Sequence, residues 1–293
     1  MNEVLPYILV GVGVDDVTAA VRFAVERAAA SGCDVRLVHA AHSPYGLAGP
    51  ETILLSFEAA ELAGRQLVRG AEERALDAAR DRVGVAADVV VGAPVPVLTD
   101  LSRQSACVVL QHRRRSRLAQ IVSGSVAAGV AARADVPVVS VPDDWSPRES
   151  DQPLRITVGV SDLKGADELI SRAIDVAAGG PAEITLAHAW ELPVAYEVSL
   201  LSTEQLTDWQ RQTAQDLQSL ADAWKDKAPD VTIETRAERG RPADVLEKAS
   251  HDSDLLLVAR ARTWVPGHHL GSVARAVLRE AACPVEVVPE PRG

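Results

Sequence analysis

The sequence predicts an α/β fold built twice, as two doubly wound, five-stranded parallel sheets in tandem. Three observations predict it. Short β-branched runs alternate with longer helical patterns, the signature of βαβ units. The pattern then repeats: ILVGV at Ile8–Val12 returns as ITVGV at Ile156–Val160, LVHA at Leu37–Ala40 as LAHA at Leu186–Ala189, and VPVVSVP at Val136–Pro142 as CPVEVVP at Cys283–Pro289, displacements of 148, 149 and 147 residues. Finally, apolar residues make up 47% of the chain but aromatics only 3%. Cores of Ala, Val and Leu suit helices packed closely on a sheet.

In the first half the strands are expected near Ile8–Val12, Val35–His39, Ala87–Val91, Cys107–Leu110 and Val136–Val141. In the second they fall near Ile156–Val160, Ile184–His188, Val231–Thr235, Asp254–Val258 and Val285–Val288. Unbroken apolar strands fit a sheet covered on both faces. Helical periodicity places Val21, Val25 and Ala28 on one face in the first half, and Leu169, Ala173, Ile174 and Ala177 in the second. A longer stripe, Leu206, Trp209, Thr213, Leu217, Leu220 and Trp224, reads as core packing behind a capping box at Ser202 and Gln205. The seam is PDDWSPRESDQP, where charge and proline replace the apolar pattern. The expected division is a domain at 1–142, a linker at 143–153 and a second domain at 154–293.

The formal net charge of −11 excludes general nucleic-acid binding, because a phosphate backbone attracts basic surfaces. Cys33, Cys107 and Cys283 stand singly in apolar runs without metal-ligand spacing, which points to structural thiols and a cytoplasmic location. The N-terminus shows no secretory pattern, and no stretch reaches about 18 apolar residues. No membrane partner is expected.

In a doubly wound sheet the ligand crevice lies beyond the carboxyl ends of the strands. Two loops per half lead there. One follows the first strand, as GVGVDD (Gly11–Asp16) or GVSDLK (Gly159–Lys164), and the other follows the fourth and ends at Gly124-Ser125 or Gly271-Ser272. Backbone N–H groups at a helix start can receive a phosphate. In the first half the fourth-strand loop also carries Arg113, Arg114, Arg115 and Arg117.

These segments, in order and in both halves, resemble the universal stress protein domain: a VGVDGS-like first loop, a VHA-like end to strand two, a G-x-P-like turn (GAPVPVL from Gly92, GRPADVL from Gly240), a fourth-strand loop of the type G-x-x-G-x9-G-[ST], and a CPV-x-VV-like close. The resemblance implies strand order 3-2-1-4-5, an adenine nucleotide alpha hydrolase-like architecture. It also implies pairing of domains through their fifth strands, here an intramolecular pseudo-dimer, with a homodimer of whole chains left open. Some members of the family bind ATP, with the glycine loop around the phosphates and the first-loop Asp near the adenine and ribose; others bind none.

Residue by residue, the nucleotide pattern is depleted. The first-loop Asp falls on Gly13 and on Ser161. Asp15 and Asp16, or Asp162, lie one to three positions later; they either compensate in part for that carboxylate or, as the favoured reading, cap the first helix of each repeat. The loop glycines fall on Gln111 and Arg114 in the first repeat and on Ala259 and Arg262 in the second, which is one residue short; Gly124-Ser125 and Gly271-Ser272 persist. Side chains at glycine positions restrict the backbone that closes on phosphates. Arg113–Arg115 either grip a small anion bidentately, or form a solvated basic loop or an Arg network at the contact of the two domains.

His268 and His269 lack ligands at metal spacing, and His39 and His188, at the ends of the second strands, read as rim or core side chains. With no nucleophile elbow, Walker sequence, zinc pattern or acid pair, the chain is expected to be a non-catalytic stress-response protein with no obligatory cofactor. The alternative is an ATP- or adenine-nucleotide-binding sensor that uses mainly the second repeat. Slow ATP hydrolysis ranks third, for want of a carboxylate to arrange metal and water.

Overall fold

The computed structural model describes residues 7–42, 50–113, 125–147, 152–178, 180–191, 203–260 and 270–289. The chain forms two compact units, each an α/β domain with a parallel sheet.

The first unit carries β1 (Tyr7–Gly11), α1 (Thr18–Ser31), β2 (Asp34–Ala41), α2 (Pro50–Ala79), β3 (Val85–Val91), α3 (Pro94–Ser102), β4 (Ser105–His112), α4 (Val126–Ala131) and β5 (Val138–Pro142). Its strands order β3-β2-β1-β4-β5, all parallel, with Ile8 beside both Val35 and Cys107. Leu9, Val10, Leu37, Val108 and Val139 are buried. α1 presents Val21, Val25 and Ala28 to that core, on the expected face.

α2 is missing from the sequence reading for a physical reason. Its buried face is the small-residue stripe Val68, Ala71, Ala75 and Ala79, which contrasts weakly with its charged face. The strand order changes direction between β1 and β4, which lie side by side and parallel, so the carboxyl ends of these two strands frame the crevice.

The second unit repeats the plan with β6 (Leu154–Gly159), a 3₁₀ turn at Leu163–Gly165, α5 (Asp167–Ala177), β7 (Ala182–Trp190), α6 (Thr203–Lys225), β8 (Val231–Arg239), α7 (Pro242–Ser250), β9 (Leu255–Ala259), α8 (Ser272–Glu280) and β10 (Val285–Val288). Strand order is β8-β7-β6-β9-β10, again parallel. The turn before the third helix of each repeat needs glycine, since Gly92 has φ 147° and Gly240 has φ 155°.

Two expectations change. The long stripe on α6 is core only at Leu217, joined by Ala221; Thr213, Leu220 and Trp224 are half-buried, and Trp209 is 48% exposed. Trp224 instead donates its indole N–H to Asp167 Oδ1 at 2.9 Å, with Lys227 Nζ 4.2 Å from its ring centre. Ser202 and the side chains of Gln205 and Leu206 lie outside the described residues. Asp254, read as the start of β9, precedes it and accepts from the Arg155 backbone N–H at 2.9 Å.

The apolar run of β10 hides a charge. Glu286 is completely buried and receives Arg172 Nε from α5 at 2.6 Å. Its counterpart in β5 is the buried Val139, and the next residue, Ser140, is also buried, its hydroxyl 2.9 Å from His112 Nδ1.

Candidate functional site

The first-repeat crevice lies where β1 and β4 end. Beyond β1, Val12 N–H continues the ladder to Val38 O at 2.8 Å. His39 on β2 donates from Nδ1 to Val12 O at 2.8 Å. The second repeat does the same: Val160 N–H bonds Ala187 O, and His188 Nδ1 donates to Val160 O, each at 2.8 Å. The paired histidines therefore tie the first-strand loop to the second strand. In the first repeat α2 crosses that ring at Gly64, where a Cβ would lie 2.6 Å from His39 Cδ2.

Gly13 and Ser161 are both exposed at the crevice rim. At Gly13 an added Cβ would meet nothing nearer than Asp15 N at 3.9 Å, and φ is not positive. Neither space nor backbone demands glycine there.

The expected capping of α1 by Asp15 or Asp16 is not what forms. The N-cap is Val17, without a side-chain cap. Asp15 Oδ1 receives Arg113 Nη2 at 2.7 Å, and Asp16 Oδ1 accepts from Thr18 Oγ1 at 2.7 Å, with Arg74 Nη2 at 3.9 Å. The first turn of α1 is served from β4 instead: Ala20 N–H donates to Gln111 Oε1 at 3.1 Å, while Gln111 Nε2 donates to Asp16 O at 2.6 Å. The amide of Gln111 is thus held at both ends, and its orientation follows from its two partners. A side chain at the first loop-glycine position spans the crevice and binds protein.

Ser125 caps α4 by accepting from Ala128 N–H at 3.4 Å, so the retained serine serves its own short helix. In the second repeat Ala259 ends β9 half-buried, and Gly271 is the N-cap of α8 with no side-chain cap. The first N–H groups of that nine-residue helix, Ser272 included, carry no side-chain acceptor from the cap residue. α5, too, begins at an N-cap without side-chain capping, Ala166, rather than at Asp162. Arg114, Gly124, Arg262, His268 and His269 lie outside the described residues.

The three cysteines are buried and form no disulfide with one another. Burial, aided by the Asp254 charge, pushes the Cys283 thiol up to about 12, so it is not a nucleophile at neutral pH. Among the described residues no cluster of His, Cys, Asp and Glu could hold a metal, and no helix is long and apolar enough to cross a membrane.

Comparison with known proteins agrees with this architecture. The model of the universal stress protein family matches residues 7–142 and again 154–289. A universal stress protein of Mycobacterium tuberculosis (strain CDC 1551 / Oshkosh) is 30% identical over 234 residues, 78% of this chain and 73% of its own length. Another, from Mycobacterium tuberculosis (strain ATCC 25618 / H37Rv), is 30% identical over 227 residues, 76% of each chain. The crystal structure of a universal stress protein from Archaeoglobus fulgidus DSM 4304 shares the fold with TM-score 0.68 at 17% identity, covering 97% of this chain and 96% of that one. The chain belongs to the universal stress protein family, as a tandem member with two copies of its domain.

Proposed function

We propose that this tandem universal stress protein acts without catalysis and that its first repeat has given up the family's nucleotide grip. The observation that carries this reading is Gln111, which uses both ends of its amide to join β4 to the first-strand loop and α1. A residue engaged in this way holds the crevice closed against phosphates that glycine would admit. Gly13 supplies no carboxylate for a ribose, and Arg113 is committed to Asp15.

A second reading, favoured by the uncapped start of α8, gives the second repeat a residual anion-binding role. Gly271 and Ser272 offer backbone donors at a helix start, where the dipole also favours negative charge. Ala259 is small, and Ser161 lies at the exposed rim across the crevice. On that reading the protein is an adenine-nucleotide sensor, with Ala259, Arg262, Gly271 and Ser272 as its contacts.

Phosphate release from Mg-ATP, followed together with equilibrium dialysis of the same nucleotide, tests both readings. The expected result is release no faster than in buffer alone, with any bound ATP lost in Gly271→Val. Turnover that scales with protein concentration and survives purification to constant specific activity would refute the non-catalytic reading.

A further inference from the structure

β3 and β8 are the corresponding edge strands of the two units, and they are built differently. Hydrogen bonds alternate along a parallel ladder: Gly92 N–H donates to Ala41 O at 2.9 Å, and Val35 N–H donates to Gly84 O at 2.8 Å. That parity turns the N–H and C=O groups of Val85, Ala87, Val89 and Val91 away from β2, to the side where no described strand pairs with β3. The strand reads VAADVVV, and its one charge, Asp88, is held by Arg36 Nε at 2.9 Å. β8, VTIETRAER, carries Glu234, Arg236, Glu238 and Arg239, the kind of charge that protects an edge from pairing. The helices beside the two edges divide in the same way. α2 packs on β2 and β3, while α1 covers β1, β4 and β5. Arg74, which approaches Asp16, marks the flank of α2 that faces α1. By helical periodicity Leu62 and Leu76 lie on the opposite flank, on the open side of β3; they are 62% and 54% exposed, and Val91 is 55% exposed. On α6 the flank that meets β8, where Gln218 Oε1 accepts from Thr235 Oγ1 at 3.0 Å, is polar and carries Arg211 and the Lys225–Asp222 pair.

We propose that the chain forms a two-fold homodimer through its first unit, β3 pairing antiparallel with β3 of a second copy and α2 packing beside its equivalent. The occupant is a second copy because only one of the two corresponding edges is open. Two open edges would let chains add without limit, whereas one open edge paired with itself closes at two. The dimensions agree. α2 sits over β2 and β3, so edge pairing sets the two copies of α2 two strand spacings apart, about 10 Å, an ordinary separation for packed helices. The register follows from the leucines. Gly64 lies against Val89, an added Cβ being 3.1 Å from Val89 Cγ1. The midpoint of Leu62 and Leu76 is Arg69, about 7.5 Å further along the helix, which corresponds to about two residues of strand and so to the level of Ala87. With Ala87 on the axis, Leu62 of each copy faces Leu76 of the other, Val85 faces Val89, and Asp88 faces Ala86 rather than a second carboxylate. The interface is distinct from the fifth strands and from the crevice, and it requires no nucleotide.

Analytical ultracentrifugation of the full chain over a range of concentrations tests it. The parent is expected to sediment at twice the 31.1 kDa mass of the chain, with a dissociation constant below about 10 µM. Leu62→Glu and Leu76→Lys, each alone, are expected to weaken the dimer at least about tenfold. Combined in one chain they are expected to restore it, because the introduced charges then face each other with opposite sign. Ala87→Pro, which removes an N–H on the open side only, is expected to give a monomer. Trp209→Glu, at a comparably exposed apolar side chain of the second unit, is expected to leave the dimer intact. A parent that stays monomeric at about 100 µM, or a dimer indifferent to Leu62→Glu and Ala87→Pro, would overturn the proposal. So would a double variant no tighter than either single one, a dimer lost in Trp209→Glu, or growth beyond the dimer. Urea midpoints are expected to coincide for the parent and the Leu62 and Leu76 variants, since both positions are exposed, so these keep the test decisive if Ala87→Pro fails to fold.

Discussion

Gln111 takes a structural role because of where β4 ends. At the first loop-glycine position a side chain of its length reaches the first turn of α1 and satisfies an N–H that Val17 cannot. Gln111→Ala is therefore expected to cost about 1 kcal/mol, as loss of a helix cap does, and to lower the urea midpoint without changing the slope. Glycines divide by the same kind of argument. Gly64→Ala drives a methyl group into the His39 ring, which is pinned through Val12 O, and overpacking of about 2 kcal/mol outweighs alanine's helix preference of about 1 kcal/mol. Gly13→Asp meets open space and should stay within about 0.5 kcal/mol of the parent. Paired urea melts check the contrast, which would fail if Gly13→Asp were the more damaging of the two.

At the level of elements, the inner strands were legible because parallel strands buried on both faces read as unbroken apolar runs, and the repeat supplied them twice. What stayed hidden depends on contacts distant in sequence. Ala20 and Gln111 are 91 positions apart, and nothing local marks a glutamine as the cap of another element's helix. Arg172 and Glu286 are 114 apart, so VEVV in β10 passes for an apolar strand. α2 escaped because an alanine stripe gives a weak period, and Trp209 was assigned to a core it does not enter because periodicity marks a face without showing how far the sheet beneath it extends. The Arg172–Glu286 pair carries its own prediction. Arg172→Met removes the guanidinium that faces a fully buried carboxylate and is expected to destabilise the second unit by about 3 kcal/mol, whereas exposed pairs such as Arg211–Asp208 contribute little. Two transitions in a urea melt, with only one displaced by Arg172→Met, would locate the effect.

Across the whole molecule, duplication has allowed two copies of one plan to diverge at their ligand ends. The histidine tie, the positive-φ glycine turn and the strand order are kept in both repeats, since each is required to assemble the sheet. The loop residues are not kept. The depletion of Gly13, Gln111 and Arg114 against the family pattern was readable from the sequence; the way Gln111 and Arg113 are then used was not, because their partners lie in another loop. On the proposed reading, the retained Gly271-Ser272 start of α8 makes the second repeat the place to look for a bound nucleotide.

The central claim is that the first repeat's crevice is closed by its own side chains. Calorimetric titration of Mg-ATP into the parent chain and into Gly271→Val tests it most directly, after the heat-denatured protein has been checked for released nucleotide. The account predicts that any binding tighter than about 1 mM disappears in Gly271→Val. Binding of that strength which survives Gly271→Val and is lost in Gln111→Ala or Arg113→Gln would contradict it.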